Sequence, residues 1–214
     1  MVRADARAWR RIAALHLPAL ALLAVVAATA WATGIPPARF TMDPAALAGA
    51  HPLLGAVSSI GVLLWAAAAA ICLFTALLLR GRCAQRGYAR LLLAAGLLTA
   101  WLALDDLFML HEWFFPVMLG IPQPIVLAGY AGMVGLLMVR FSVLIADTDC
   151  LLLGLALAFF AASAAADQLP GAWFGTWGWL YLLEDGCKLL GITGWSGYLA
   201  SVAASSLRFA HAGS

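Results

Sequence analysis

The chain has 214 residues, of which 65% are hydrophobic and 10% charged, and its formal net charge is +2. Soluble domains average about 45–50% apolar and about 25% charged residues. The excess of apolar surface therefore predicts helices that face lipid, and the small net charge gives no sign of a nucleic-acid partner. The four cysteines form no C-x-x-C pair and are expected to be ordinary small residues.

Six apolar segments reach or approach the roughly 20 residues that a helix needs to cross a bilayer. They cover residues 12–33, 53–79, 91–113, 125–145, 151–166 (extended toward 169) and 179–207. In the first connection, Asp43-Pro44 predicts an N-cap with proline at the first position of a short helix. The pattern predicts an all-α, polytopic bundle of about six transmembrane helices, forming a single transmembrane domain over residues 1–214.

Basic residues orient this bundle, because short cytoplasmic loops are enriched in Lys and Arg. If successive spans cross the membrane in alternating directions, ten of the twelve basic residues fall on one side. This distribution predicts that both termini are cytoplasmic and that the protein lies in a bacterial inner membrane. The ten residues are Arg3, Arg7, Arg10, Arg11, Arg80, Arg82, Arg86, Arg90, Arg140 and Arg208. A cleaved signal peptide ending near Ala28-Thr29-Ala30 is an alternative for the first segment. Its apolar run, however, exceeds the about 7–15 residues of a signal peptide.

Small residues mark the fourth segment, where Gly129, Gly132 and Gly135 predict close packing against another helix. A second pattern is the similarity between residues 104–106 and 183–185, each a leucine followed by two acidic residues. Such a short internal repeat is compatible with two inverted three-helix halves.

Polar residues concentrate in the half of the predicted bundle that lies away from the cytoplasm. A charge at the bilayer centre costs roughly 2.5–3.5 kcal/mol, so these side chains should point toward one another or toward water. The group contains six acidic residues, one histidine and the only lysine: Asp105, Asp106, His111, Glu112, Asp167, Glu184, Asp185 and Lys188.

Helical spacing divides this group. Asp105 and Glu112 are seven residues apart and share a face, as do Glu184 and Lys188, which are four apart. Asp106 and His111 would lie on other faces, and His111 and Asp167 can enter the site from its rim. Lys188 is expected within salt-bridge reach of Asp105 or Glu112, which would make the third and sixth helices neighbours.

Charge balance then suggests a function. The carboxylates outnumber the basic groups, so the surplus must be protonated, solvated or matched by a bound cation. The expected cofactor is a divalent metal with ligands Asp105, His111, Glu112 and Glu184. The favoured interpretation is a metal-binding membrane hydrolase or oxidoreductase, in which Asp106, Asp167, Asp185 and Lys188 complete the polar cluster. A proton-coupled permease and a structural or assembly subunit of a membrane complex are the alternatives, and a homo-oligomer is compatible with each.

The two charged motifs also resemble a known group. Asp105-Asp106-x4-His111-Glu112 and Glu184-Asp185-x2-Lys188-x2-Gly191 are similar to segments of uncharacterised bacterial multi-pass membrane proteins that carry D-E-x4-H-E and later E-E-x2-E-x2-G. Lys188 stands where that group commonly has an acidic residue, which weakens a metal-ligand role there. The resemblance implies the fold and no activity. The chain also shows a fainter similarity to the alkaline ceramidase superfamily, but it lacks the paired histidines that those proteins carry in their last helix.

Overall fold

A computed structural model describes residues 6–169 and 179–212. Within these ranges the regular structure is helical, which confirms the all-α prediction: α1 Ala6–Thr33, α2 Ala38–Thr41, α3 Pro44–Leu47, α4 Ala56–Leu78, α5 Arg86–Phe108, α6 Gln123–Arg140, α7 Ser142–Ala146, α8 Cys150–Asp167 and α9 Trp179–Ala212. A 3₁₀ turn, Cys83–Gln85, precedes α5, and a π-helical segment, Leu110–Met118, follows it.

Five segments of the described chain are long and apolar enough to cross a membrane: His16–Thr33, Ala56–Leu78, Cys83–Phe108, Gln123–Arg140 and Cys150–Asp167. The expected sixth span, α9, has 34 residues and ample length. It falls outside this set, since it carries Glu184, Asp185 and Lys188 near its start and many Gly and Ser residues after them. A sixth span and the cytoplasmic termini stay predictions, and Arg3 and the residues at 170–178 lie outside the described ranges.

Two of the predicted segments are interrupted. The third, expected to run through residue 113, ends as an α-helix at Phe108, and Met109 follows with a left-handed φ of 50°. Pro116 lacks the N–H that would continue an α-helical ladder, and the chain winds on in π geometry, with the Phe114 N–H donating to the Met109 carbonyl at 3.2 Å. The fourth segment breaks at Phe141 into α6 and α7.

The chain separates into two compact units, Met1–Leu54 and Gly55–Ser214. The first contains α1 to α3. Its Asp43 carboxylate accepts the Ala45 and Ala46 N–H groups at 2.8 and 3.3 Å, which confirms the N-cap predicted from Asp43-Pro44.

The second unit contains α4 to α9, and its core lies between α4, α5, α8 and α9. Trp65, Cys72, Leu92 and Trp195 are buried there. In contrast, α6 has a single buried residue, Leu137, and contacts chiefly α5, α7 and the π-helical segment. The four cysteines are free, as expected.

Candidate functional site

A cavity of about 470 Å³ lies within the second unit. Helices α5, α6, α8 and α9, the π-helical segment and Trp65 of α4 form its wall. Of the eight residues in the predicted polar cluster, the wall contains all except Asp185, which is exposed: Asp105, Asp106, His111, Glu112, Asp167, Glu184 and Lys188. The structure therefore brings most of the sequence-predicted cluster to one cavity.

Asp105 is the most enclosed of these carboxylates, with 3% of its surface exposed. Its Oδ1 accepts the Tyr130 hydroxyl at 2.6 Å and the His111 backbone N–H at 2.9 Å. Its Oδ2 contacts the His111 Nδ1. Both oxygens of Asp105 are thus occupied by protein donors, and the imidazole is held in one orientation.

The end of α5 explains how His111 reaches Asp105. In a continuous α-helix, residues six apart point to different faces, since each residue turns by roughly 100°. The left-handed Met109 ends that helix, so the chain turns and His111 packs back over Asp105. The expectation that His111 lies away from Asp105 on another face is therefore wrong, because it assumed an unbroken helix.

The other ring nitrogen of His111 faces Glu112. Its Nε2 lies 3.5 Å from Glu112 Oε1, and the Glu112 side chain is about half exposed whereas that of His111 is 10% exposed. An imidazole with Nδ1 fixed by one carboxylate and Nε2 beside another is suited to metal binding or to proton transfer.

Asp106, the neighbour of Asp105, binds different partners. Its Oδ1 is 2.7 Å from the Lys188 Nζ, and its Oδ2 accepts the Trp65 Nε1–H at 2.9 Å. This ion pair joins α5 to α9 and confirms that the third and sixth predicted helices are neighbours. The predicted partner was wrong: Lys188 pairs with Asp106 rather than with Asp105, whose oxygens are already occupied, or Glu112, which faces His111.

Two further carboxylates lie toward one end of the cavity. Asp167 accepts the side-chain amides of Gln123 and Gln168, each at 2.9 Å. Glu184 is half-buried, and it lies near enough to Asp167 and Glu112 for their charges to repel its own.

Aromatic residues that the sequence analysis missed support the network. The Trp65 ring stacks on Phe160 with centroids 5.5 Å apart and meets Trp195 edge-on at 6.5 Å. Trp195 donates its indole N–H to the Thr99 hydroxyl at 3.0 Å. A signal for Trp65 and Tyr130 did exist: each has a polar group in the middle of an apolar segment, where it needs a partner.

Asp105, Asp106 and His111 together offer metal-ligand atoms that lie within 4.8 Å of one another. All four carboxylate oxygens of the two aspartates, however, already receive protein donors. A cation between the aspartates would have to displace these donors and would face the Lys188 ammonium. The Nε2 side of His111 is the more open position for an ion.

The fold and the site define a multi-helix membrane protein with a polar cluster in a cavity. The chain belongs to the family described as a domain of unknown function (DUF8692), whose model matches residues 17–202. That match includes each cavity residue described above. Comparisons with curated proteins and with solved structures gave no match.

Proposed function

We propose that this chain is a multi-pass protein of the bacterial inner membrane that binds one divalent metal ion through His111 and Glu112. The ion would serve hydrolysis or redox chemistry on a lipid or a small apolar molecule in the cavity. Aromatic and aliphatic side chains make up most of the wall, which is typical of small-molecule sites that contain a few polar groups.

The separation between His111 Nε2 and Glu112 Oε1 carries the proposal. At 3.5 Å it is longer than a good hydrogen bond of about 2.7–3.2 Å. Two ligands that are each about 2.1 Å from a tetrahedral ion are roughly 3.4 Å apart. The observed spacing therefore fits two ligands of one ion with little movement of either side chain.

Asp105 takes a different role from the one expected from sequence. A carboxylate on the far nitrogen of a metal-binding imidazole fixes its orientation and raises its basicity. Asp105 occupies this position at Nδ1 and is in turn held by Tyr130. In the proposal, Asp105 positions the ligand His111 and does not contact the ion.

Glu184 is the candidate third ligand. It lines the same cavity, and its side chain makes no hydrogen bond or ion pair among the described residues. A cation between Glu112 and Glu184 would relieve the repulsion between their charges. A site of one imidazole and carboxylates suits zinc, iron or manganese. When bound, such an ion would supply Lewis-acid chemistry to a water or a substrate oxygen, and Lys188 would remain paired with Asp106.

Elemental analysis of protein purified in detergent tests this assignment. After loading and dialysis, the unsubstituted chain should hold about one ion, while His111→Ala and Glu112→Gln should hold almost none. Asp105→Asn should still bind, with affinity about 10–100-fold lower, because it removes only the orienting group. His51→Ala is the matched control, since His51 is an exposed loop residue that caps the Leu53 N–H. Metal content that is unchanged in His111→Ala would refute the proposal.

A proton-coupled permease is the second candidate, favoured by the Lys188–Asp106 pair in a cavity that holds other carboxylates. Ionisable residues at membrane depth that exchange partners are typical of proton relays. Metal-free protein in liposomes would then show flux that follows a pH gradient and is lost in Lys188→Met. Flux that ignores the gradient would remove this candidate.

A further inference from the structure

The cavity is polar at one end and apolar at the other. Asp167 ends α8, whereas Leu157 lies ten residues earlier on the same helix, roughly 15 Å along its axis. The same order holds on α6, which runs from Gln123 at the polar end to Val134 and Met138 at the apolar end. The carboxylates therefore lie near the helix ends, and the aliphatic wall continues from there along the spans, past Leu157 in the middle of α8 to Met138 near the other end of α6.

This order matches a lipid-like molecule in the adjoining leaflet, which places its head at the surface and its chain toward the bilayer centre. Helix α6 forms one side of the cavity, and only Leu137 of its residues is buried, so this helix packs little against the rest of the described unit. A Cβ added to Gly135, on the cavity wall, would meet no atom of the described residues within 4 Å.

The charge of the wall selects the head group. Five carboxylates line the cavity against one lysine: Asp105, Asp106, Glu112, Asp167 and Glu184 against Lys188. Lys188 is already paired with Asp106, and even a divalent ion would leave the wall negative. A cationic head is therefore attracted and an anionic head repelled, the more strongly because apolar walls screen these charges poorly.

We propose that the cavity binds a single-chain amphiphile with a protonated amine as its head, drawn from the surrounding leaflet. In the metal-free protein the ammonium would lie among Glu112, Asp167 and Glu184, and with the ion in place it would lie beside Asp167. In both states the chain would lie along Val134, Met138 and Leu157. This assigns a substrate class to the site of the proposed function and rests on that proposal for the reaction, although amine binding itself needs no metal.

The first arm of the test varies the ligand. Dodecylamine, dodecanol and dodecanoate share one chain length and differ in head charge. Binding is measured by native mass spectrometry of chelator-treated protein released from detergent, so the result does not depend on a bound ion. One dodecylamine should bind per chain, at least about tenfold more tightly than either other ligand, a difference of about 1.4 kcal/mol. Dodecanol or dodecanoate binding as tightly as the amine would overturn the head-group assignment.

The second arm varies the cavity with matched neighbours. Ala161 lines the cavity and Ala162 does not, although both are exposed residues of α8. Ala161→Phe should abolish amine binding, whereas Ala162→Phe should leave it unchanged. Likewise Glu184→Gln should weaken binding about tenfold or more, while the exposed Asp185→Asn should change it less than about twofold.

The two proposals fail separately in this design. His111→Ala should lose metal and still bind dodecylamine, because Asp167 and Glu184 remain. Amine binding with no metal in any preparation would refute the metal site alone. Ala161→Phe that keeps the circular dichroism spectrum of the unsubstituted chain and still binds the amine would refute the amphiphile site alone.

Discussion

Glycines make the contrast between the packed helices and α6 visible. On α5 and α9, a Cβ at Gly96 would lie 3.0 Å from the Cys72 Cβ, and one at Gly191 would lie 2.7 Å from the Phe160 ring. On α6, a Cβ at Gly129, Gly132 or Gly135 would meet no atom of the described residues within 4 Å. The same residue type allows close helix contact in one region and adjoins empty space in the other.

That difference corrects one expectation and locates the site. The small residues of α6 were expected to pack closely against another helix, and within the described chain they do not. The polar network instead lies at the border of the two regions, where Tyr130 of α6 reaches Asp105 of α5. Asp106 belongs to the packed side, joined to α9 and α4 through Lys188 and Trp65. A cavity exists here because α6 packs so little against the other helices.

The largest expected effect comes from breaking the ion pair of the packed side. Lys188→Met should lower the free energy of unfolding in detergent by roughly 3 kcal/mol, because it leaves Asp106 mostly buried without its cation. Adding Asp106→Asn should restore part of the loss, since neither charge then lacks a partner. Asp185→Asn is the control on the same helix, with a change below about 0.5 kcal/mol expected at its exposed position. Strictly additive losses would show that the pair does not couple α5 to α9.

The two sets of glycines allow a direct comparison. Gly191→Ala should cost about 1–3 kcal/mol, because the Phe160 ring that it would meet is stacked on Trp65 and has little room to withdraw. Gly132→Ala should instead stabilise the protein by about 0.5–1 kcal/mol, the helix propensity gained where space is open. Thermal unfolding of both variants in one detergent measures the difference. Destabilisation by Gly132→Ala would mean that another surface, such as a second copy of the chain, covers α6.

Much of this arrangement follows from the sequence, and the exceptions have physical causes. Apolar length is a property of whole segments, so the ends of the helices were predictable to within six residues. The pairing of the third and sixth helices followed from one lysine at membrane depth with nearby carboxylates. The pairing of Lys188 with Asp106 rather than Asp105 did not follow from the sequence, because it depends on which carboxylate oxygens already accept hydrogen bonds from other groups.

The contact between Asp105 and His111 could not be predicted from the sequence either, because it depends on one backbone dihedral at Met109. Methionine is a good helix former, and no local signal marks a left-handed methionine. Pro116 did indicate that the α-helix could not continue unchanged, but it gave no position for the break.

The smallest expected effect tests that break itself. Met109 has φ 50° and ψ 46°, a conformation that costs a residue with a Cβ roughly 1–2 kcal/mol and costs glycine little. Its side chain is 54% exposed, so removing it sacrifices little packing. Met109→Gly should therefore raise the free energy of unfolding by about 0.5–1 kcal/mol, after part of the relief is offset by the greater freedom of glycine in the unfolded chain. Met118→Gly is the matched control, similarly exposed at 55% but in a right-handed position, and it should lose about 0.5–1 kcal/mol. Equal losses in the two variants would place residue 109 in a right-handed helix. The third span would then continue without a break, His111 would turn away from Asp105, and the imidazole would lose the carboxylate that orients it.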